Sequence, residues 1–181
     1  MKINYLVGAF LCMLGCYACS SPKTEVKSPD GHIKMSFTVD ENGRPLYNVS
    51  VGDSLLIENS AMGFTEGNGV VLGEGFQIKN TTFTSKDETW TQPWGENKTN
   101  RNHYNEMAVN LTNGNQVELT LRFRVFDDGV GFRYEYNVPT VDSLMITDEL
   151  TTFRFRQDGT SWSIPASAET YELLYKQQPV S

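Results

Sequence analysis

The sequence predicts an all-β fold, an antiparallel sandwich of two stacked sheets, and three observations carry that prediction. Apolar residues alternate with polar ones in many short runs. Asn-, Gly- and Thr-rich turns recur between the runs, and no window of useful length shows apolar residues at helical spacing. Short strands with one apolar face each must bury that face against another layer, and stacking two sheets does so.

The first element in chain order is a targeting segment. Lys2 supplies a positive start, and the run from Tyr5 to Cys16 is almost wholly apolar but too short to span a bilayer. Leu14-Gly15-Cys16 and Tyr17-Ala18-Cys19-Ser20-Ser21-Pro22 each resemble a bacterial lipobox, in which the cysteine is acylated and becomes the mature N-terminus. Cys19 is the preferred lipidation site, because Ala18 precedes it and a polar tether follows; Cys16 and an ordinary cleaved signal peptide are the alternatives. Residues 1–19 are thus read as a lipoprotein signal peptide. Export to the periplasm or outer membrane follows, with the lipid as the sole membrane contact. All three cysteines (Cys12, Cys16, Cys19) fall in this segment, so the body has no thiol for disulfides, zinc or nucleophilic attack. The net charge is -7 and no basic stretch tracks phosphates, which argues against nucleic acid as a partner.

Residues 20–29, rich in Ser, Pro, Lys, Thr and Glu, have the composition of a solvated linker, so the domain is expected to occupy residues 30–181. Ile33, Met35, Phe37 and Val39 alternate as in a half-buried strand, Asn42-Gly43 turns the chain, and Leu46 to Val51 returns it. A less regular alternation runs from Phe76 to Phe83. Met107, Val109 and Leu111 share one face, and Val117, Leu119, Leu121, Phe123 and Val125 form the next. The shared parity calls for an odd-length loop such as Asn113 to Asn115, pairing Leu111 with Val117 and Val109 with Leu119. Val130, Phe132, Tyr134 and Tyr136 are even-numbered, so the turn at Asp127-Asp128-Gly129 needs an even count of residues. Leu144 to Phe155 is strand-rich, and Tyr171 to Tyr175 reads as a strand or an approach to one. The chain then stops without a capped ending, as a sandwich incomplete on its C-terminal side would.

Aromatics and carboxylates concentrate between Asp87 and Glu106. Indole rings stack on the apolar face of a sugar while carboxylates and amides bond its hydroxyls, so Trp90, Trp94, Glu96, Arg101 and His103 are candidate carbohydrate-binding residues. The structural alternative is a long loop folded onto the sandwich, with Trp90 and Trp94 as core plugs, Arg101 paired to a carboxylate and His103 a hydrogen-bonded structural residue. Asp127-Asp128-Gly129 lacks the spaced oxygens and terminal Glu of an EF-hand and reads as a hairpin turn. No Gly-x-Ser-x-Gly elbow or phosphate-cradling loop occurs. Nothing in the sequence selects one pair among the 22 acidic residues as a glycosidase acid and base.

Several segments in order are similar to the N-terminal domain of glycoside hydrolase family 97, bacterial exo-acting α-glycosidases. They are Ser28-Pro29-Asp30-Gly31, Asp87 to Trp90 with Trp94-Gly95-Glu96, Arg101-Asn102-His103-Tyr104-Asn105-Glu106, Arg122 to Glu135, and Ile164-Pro165 followed by Tyr171-Glu172. The resemblance implies a β-super-sandwich of the galactose-mutarotase type. In the family this domain precedes a (β/α)8 barrel that holds the catalytic carboxylates. The implied function of the intact protein is calcium-dependent hydrolysis of terminal α-glucosyl or α-galactosyl residues. This stretch would contribute no catalytic residue, would be inactive alone, and would pack on the barrel of the same polypeptide. It also implies that Glu172 reaches toward the barrel as one calcium ligand; calcium takes about six to eight oxygens, so the barrel must supply the rest. The other reading is a free-standing carbohydrate-binding surface lipoprotein that uses Trp90, Trp94 and Trp162 as stacking platforms.

Overall fold

The computed structural model describes residues 24–67, 69–114, 117–136, 143–169 and 172–180. The lipobox cysteines and Tyr171 lie outside the described residues. Among these residues there is no helix; thirteen strands form four antiparallel sheets.

The first sheet has the order β1-β2-β3-β4, built from β1 (Glu25–Lys27), β2 (Ile33–Val39), β3 (Pro45–Val51) and β4 (Ser54–Ala61). The domain therefore starts earlier than its composition indicates. Glu25–Lys27, read as linker, pairs with β2, Val26 lying opposite Met35, and Val26 is buried. One inward apolar residue in a polar segment is too weak a period-2 signal to separate a short edge strand from a tether. The Ser28-Pro29-Asp30-Gly31 motif forms the turn into β2. Asp30 Oδ1 accepts the Ser28 hydroxyl at 2.5 Å and the His32 amide at 2.9 Å, and Ser28 Oγ accepts the Ile33 amide at 2.9 Å. These bonds, the Ser28 hydroxyl first, hold the Asp30 carboxyl below the usual carboxylate range.

The expected β2–β3 hairpin forms, with Phe37 opposite Tyr47 and Met35 opposite Val49. Its turn requires glycine at position 43, where φ is 76° and a Cβ would stand 2.5 Å from the Phe76 backbone nitrogen. That nitrogen donates to the Gly43 carbonyl at 3.0 Å, so the turn is stitched to the start of the second sheet.

The second sheet has the order β10-β9-β8-β7, with β7 (Phe76–Thr91), β8 (Thr99–Asn113), β9 (Glu118–Phe126) and β10 (Gly129–Tyr136). Parity set the faces as expected, and the β9–β10 turn is the two residues Asp127 and Asp128, Phe126 lying opposite Gly129. The β8–β9 register differs by two residues from the expectation: Leu111 faces Leu119, not Val117, and Val109 faces Leu121. A shift of two preserves the faces, so the apolar pattern cannot detect it. The chain turns later because Asn113 closes against Val117, whose amide bonds the Asn113 side chain at 3.0 Å.

The core lies between these sheets. Met35, Phe37 and Tyr47 meet Met107, Val109, Leu121, Phe123 and Val125, and Phe37 packs on Phe123 with ring centroids 5.8 Å apart. Fully burying one such ring stabilises the fold by about 1.5–3 kcal/mol. Phe64, on β5 (Phe64–Glu66), packs edge-on against Tyr134 and Tyr136 at one end. Strands β5, β6 (Val71–Leu72) and β11 (Ile146–Glu149) form a small third sheet. Residues 150–156 then run beside β4, and Thr152 Oγ1 accepts the Ala61 amide at 2.8 Å. Finally β12 (Thr160–Ser163) and β13 (Lys176–Pro179) make a two-stranded ribbon of largely exposed residues.

Candidate functional site

The stretch from Asp87 to Glu106 is not a loop on the sandwich. It is the distal part of the β7–β8 hairpin, paired without a register break from Asn80–Asn110 to Thr91–Thr99. Polar residues on both faces explain why the sequence did not read as strand: toward its tip, residues 87–91 are exposed on both faces, so no apolar stripe is needed there. Trp90 and Trp94 are not core plugs; they are 49% and 84% exposed. Trp94 and Glu96 sit in the exposed tip between the strands.

Pairing and alternation divide the candidate binding residues between two faces. Trp90 shares the outer face of the sheet with Glu88, Asn102, Tyr104 and Glu106, whereas Arg101 and His103 share the opposite face with Asp87. Arg101 makes a two-pronged bond to Asp87, 2.8 and 2.7 Å, as the structural reading expected. The Arg101 guanidinium holds the Asp87 carboxyl below its ordinary range. Across the outer face, Glu88 accepts from Asn102 at 2.9 Å and pairs with Lys86 at 2.8 Å. His103 Nδ1 is buried, lies 3.9 Å from Asp127 Oδ2 and makes no hydrogen bond among the described residues.

Where the arm joins the sandwich, the outer face carries a charge network that sequence reasoning did not single out as a site. Glu106 is buried between Arg122 Nη1 at 2.5 Å and Arg124 Nε at 2.7 Å. Arg122 also grips both oxygens of Glu135 at 2.8 Å. Burial pushes the Glu106 carboxyl up, but the hydrogen bonds from Arg124 and Arg122 outweigh it and hold the group below its ordinary value. Glu135 is lowered further, to about 2, chiefly by Arg122. Arg124 also lies over the Tyr104 ring, 4.5 Å from its centroid. The cross-strand spacing of Glu106, Arg122, Arg124 and Glu135 was the available signal, but it becomes visible only once the register is known. Each arginine here has a carboxylate partner, so the network reads as a structural clamp.

Glu172 is exposed and precedes β13. Among the described residues no group of three or more His, Cys, Asp or Glu could hold a metal ion. The described residues do not by themselves make a calcium cage, which takes about six to eight oxygens.

Residues 26–181 match the family described as Glycosyl-hydrolase 97 N-terminal. The retaining α-galactosidase of Bacteroides thetaiotaomicron is 29% identical over 133 residues, covering 74% of this chain and 19% of that protein. A family 97 enzyme from Pseudoalteromonas sp. strain K8, solved with panose, superposes with a TM-score of 0.79 at 34% identity, over 86% of this chain and 24% of that one. A β-arabinopyranosidase structure superposes with a TM-score of 0.76 at 26% identity, over 84% of this chain and 26% of that one. The chain thus spans about a fifth to a quarter of the length of these relatives.

Proposed function

The chain belongs to glycoside hydrolase family 97, as its N-terminal domain, and from that premise we propose that it caps and completes the catalytic portion of an α-glycosidase. The observation that carries this reading is the family match over residues 26–181, beside relatives of whose length the aligned part of this chain covers only 19% and 24%. On this reading the substrates are terminal α-glucosyl or α-galactosyl residues, bond cleavage is done by carboxylates of a (β/α)8 barrel, and Glu172 adds one oxygen ligand to a calcium ion held at the junction. Calcium would supply charge stabilisation there; this chain's part is to present Glu172 from the connection between β12 and β13. The protein is exported and held to the membrane by a lipid on Cys19, a reading that rests on the sequence of residues 1–22 alone.

A chimera tests the proposal. The 181-residue chain alone should not cleave nitrophenyl α-glucoside or α-galactoside. Joined to the remaining three quarters of the Pseudoalteromonas enzyme, in place of the matching segment, it should restore calcium-dependent turnover, and Glu172→Gln should raise the calcium concentration needed. Activity of the isolated chain, or unchanged calcium dependence in Glu172→Gln, overturns the assignment.

The second reading, a carbohydrate-binding surface lipoprotein, draws on the exposure of Trp94, Trp162 and Trp90, 84%, 64% and 49%. It requires saccharide binding by the chain alone that is lost in Trp90→Ala or Trp94→Ala.

A further inference from the structure

The second sheet ends at β10, an edge strand with no partner on its far side among the described residues. Two of its residues are glycines, Gly131 opposite Arg124 and Gly129 opposite Phe126, so both share the outer face with the clamp. Neither has a positive φ, and a Cβ at either would meet nothing within 4 Å. Glycine weakens a strand interior and often marks a place where a ligand or another backbone comes close. Neither conformation nor packing demands glycine at these two positions. What they leave is a niche of about 180 Å³ on the outer face.

Three guanidiniums, those of Arg122, Arg124 and Arg133, line the niche, and no carboxylate does. Two carboxylates pair with them from beside it: Glu106 with Arg122 and Arg124, and Glu135 with Arg122 and Arg133. Lys86 and Glu88, whose charges also reach Arg124, pair with each other at 2.8 Å. One positive charge is left over, in a chain whose net charge is -7. Hydrogen-bond donors are left over too. Arg124 bonds Glu106 through Nε alone, so its two Nη groups have no acceptor among the described residues, and Arg133 reaches Glu135 through Nε and Nη2, leaving Nη1. Phe126, packed on Tyr104 with ring centroids 5.3 Å apart, borders the niche.

Spare N–H groups on a planar guanidinium match the two oxygens of a carboxylate, and the uncompensated charge selects an anion. The niche is smaller than the roughly 300–1,000 Å³ of whole-ligand pockets, so it suits one charged group of a larger molecule. We infer that it holds the carboxylate of an acidic saccharide, a uronate, against Arg124 and Arg133. The carboxylate follows from the niche itself; the sugar rests on reading the chain as part of a glycan-cleaving enzyme. Glu106 fixes Arg124 by Nε and leaves the Nη pair for the ligand, so the clamp also prepares the site.

The test is amide-resolved NMR of the full chain at low ionic strength, titrated separately with galacturonate, galactose and acetate. Galacturonate should shift the Arg124, Gly131 and Arg133 amides saturably with millimolar affinity, and added salt should weaken it. Galactose and acetate should each bind at least tenfold more weakly. Gly131→Leu, which puts a side chain into the open niche, should weaken galacturonate at least tenfold, and Arg124→Lys, which keeps the charge but loses the fork, should weaken it severalfold. Absence of saturable shifts up to tens of millimolar galacturonate overturns the inference. So does galactose or acetate binding as tightly as galacturonate, or galacturonate binding unchanged in both variants. The chimera's nitrophenyl glycosides carry no carboxylate and do not read the niche: turnover without galacturonate binding removes only the niche, and galacturonate binding by a chain that restores no turnover removes only the capping role.

Discussion

The body of the sandwich and the β7–β8 arm are parts of the same strands, yet they are held by different forces. In the body, Met107, Val109, Leu121 and Phe123 are fully buried and packing supplies the stability. In the arm, from about Thr84 to Asn105, most side chains are exposed and the strands are joined by their ladder and by cross-strand polar pairs such as Arg101–Asp87 and Asn102–Glu88. A lone two-stranded ribbon is marginal in water. The arm persists because β8 continues into the core and because the Glu106–Arg122–Arg124 clamp stands at its root. The difference teaches that strand length here is set by what anchors one end, not by burial along the whole strand.

Substitutions should separate the two regions sharply. Phe123→Ala, at the centre of the body, should cost about 3–5 kcal/mol in denaturant unfolding, the usual loss for an aromatic core truncation. Gly43→Ala should cost about 2 kcal/mol, since the new methyl meets the backbone of residues 75 and 76 and the φ of 76° disfavours a side chain. If Gly43→Ala is neutral, the stitch between the two sheets at this turn is not rigid.

The clamp should show itself in acid. The folded carboxyl of Glu135 lies at about 2, below its ordinary 4.5. Its contribution to stability is therefore fully present above about pH 4.5 and is lost as the pH falls toward 2. Melting followed from pH 6 to pH 2 should fall less steeply in Glu135→Gln than in the wild type. An unchanged acid limb would show that Arg122 does not favour the charged form of Glu135.

In the arm, Arg101→Ala should leave the melting temperature of the body unchanged while speeding amide exchange between residues 86 and 103, because exposed ion pairs contribute little to global stability. Trp94→Ala should be the smallest effect, within about 0.5 kcal/mol. A large loss of stability in Trp94→Ala would mean that the indole packs against something in solution and that the arm is not a separate region.

Much of the body was legible in the sequence, for a definite reason. Burial on one face imposes period two, so Ile33, Met35 and Phe37, and later Leu119 to Val125, announced both strand and inward face. The same rule explains what was not legible. Period two is blind to a shift of two, so the Leu111–Leu119 pairing could not be told from Leu111–Val117. It is silent where neither face is buried, so the arm read as a loop. The candidate binding residues were found as a composition cluster, and nearness in sequence hid the fact that Trp90 and Arg101 stand on opposite faces. Phe83 looked like one more core position, and the clamp partners Glu106, Arg124 and Glu135 are separated by whole strands.

The sequence alone determined the all-β class, the hairpin at Asn42-Gly43, the even length of the turn around Asp127-Asp128-Gly129 and the resemblance to family 97, because these depend on local turn chemistry, alternation and contiguous motifs. Only the tertiary structure decided the register of β8 on β9, the exposure of Trp90, Trp94 and Phe83, and the convergence of Glu106 with Arg122 and Arg124. These depend on where one sheet ends relative to the other, a long-range packing outcome that no local pattern encodes.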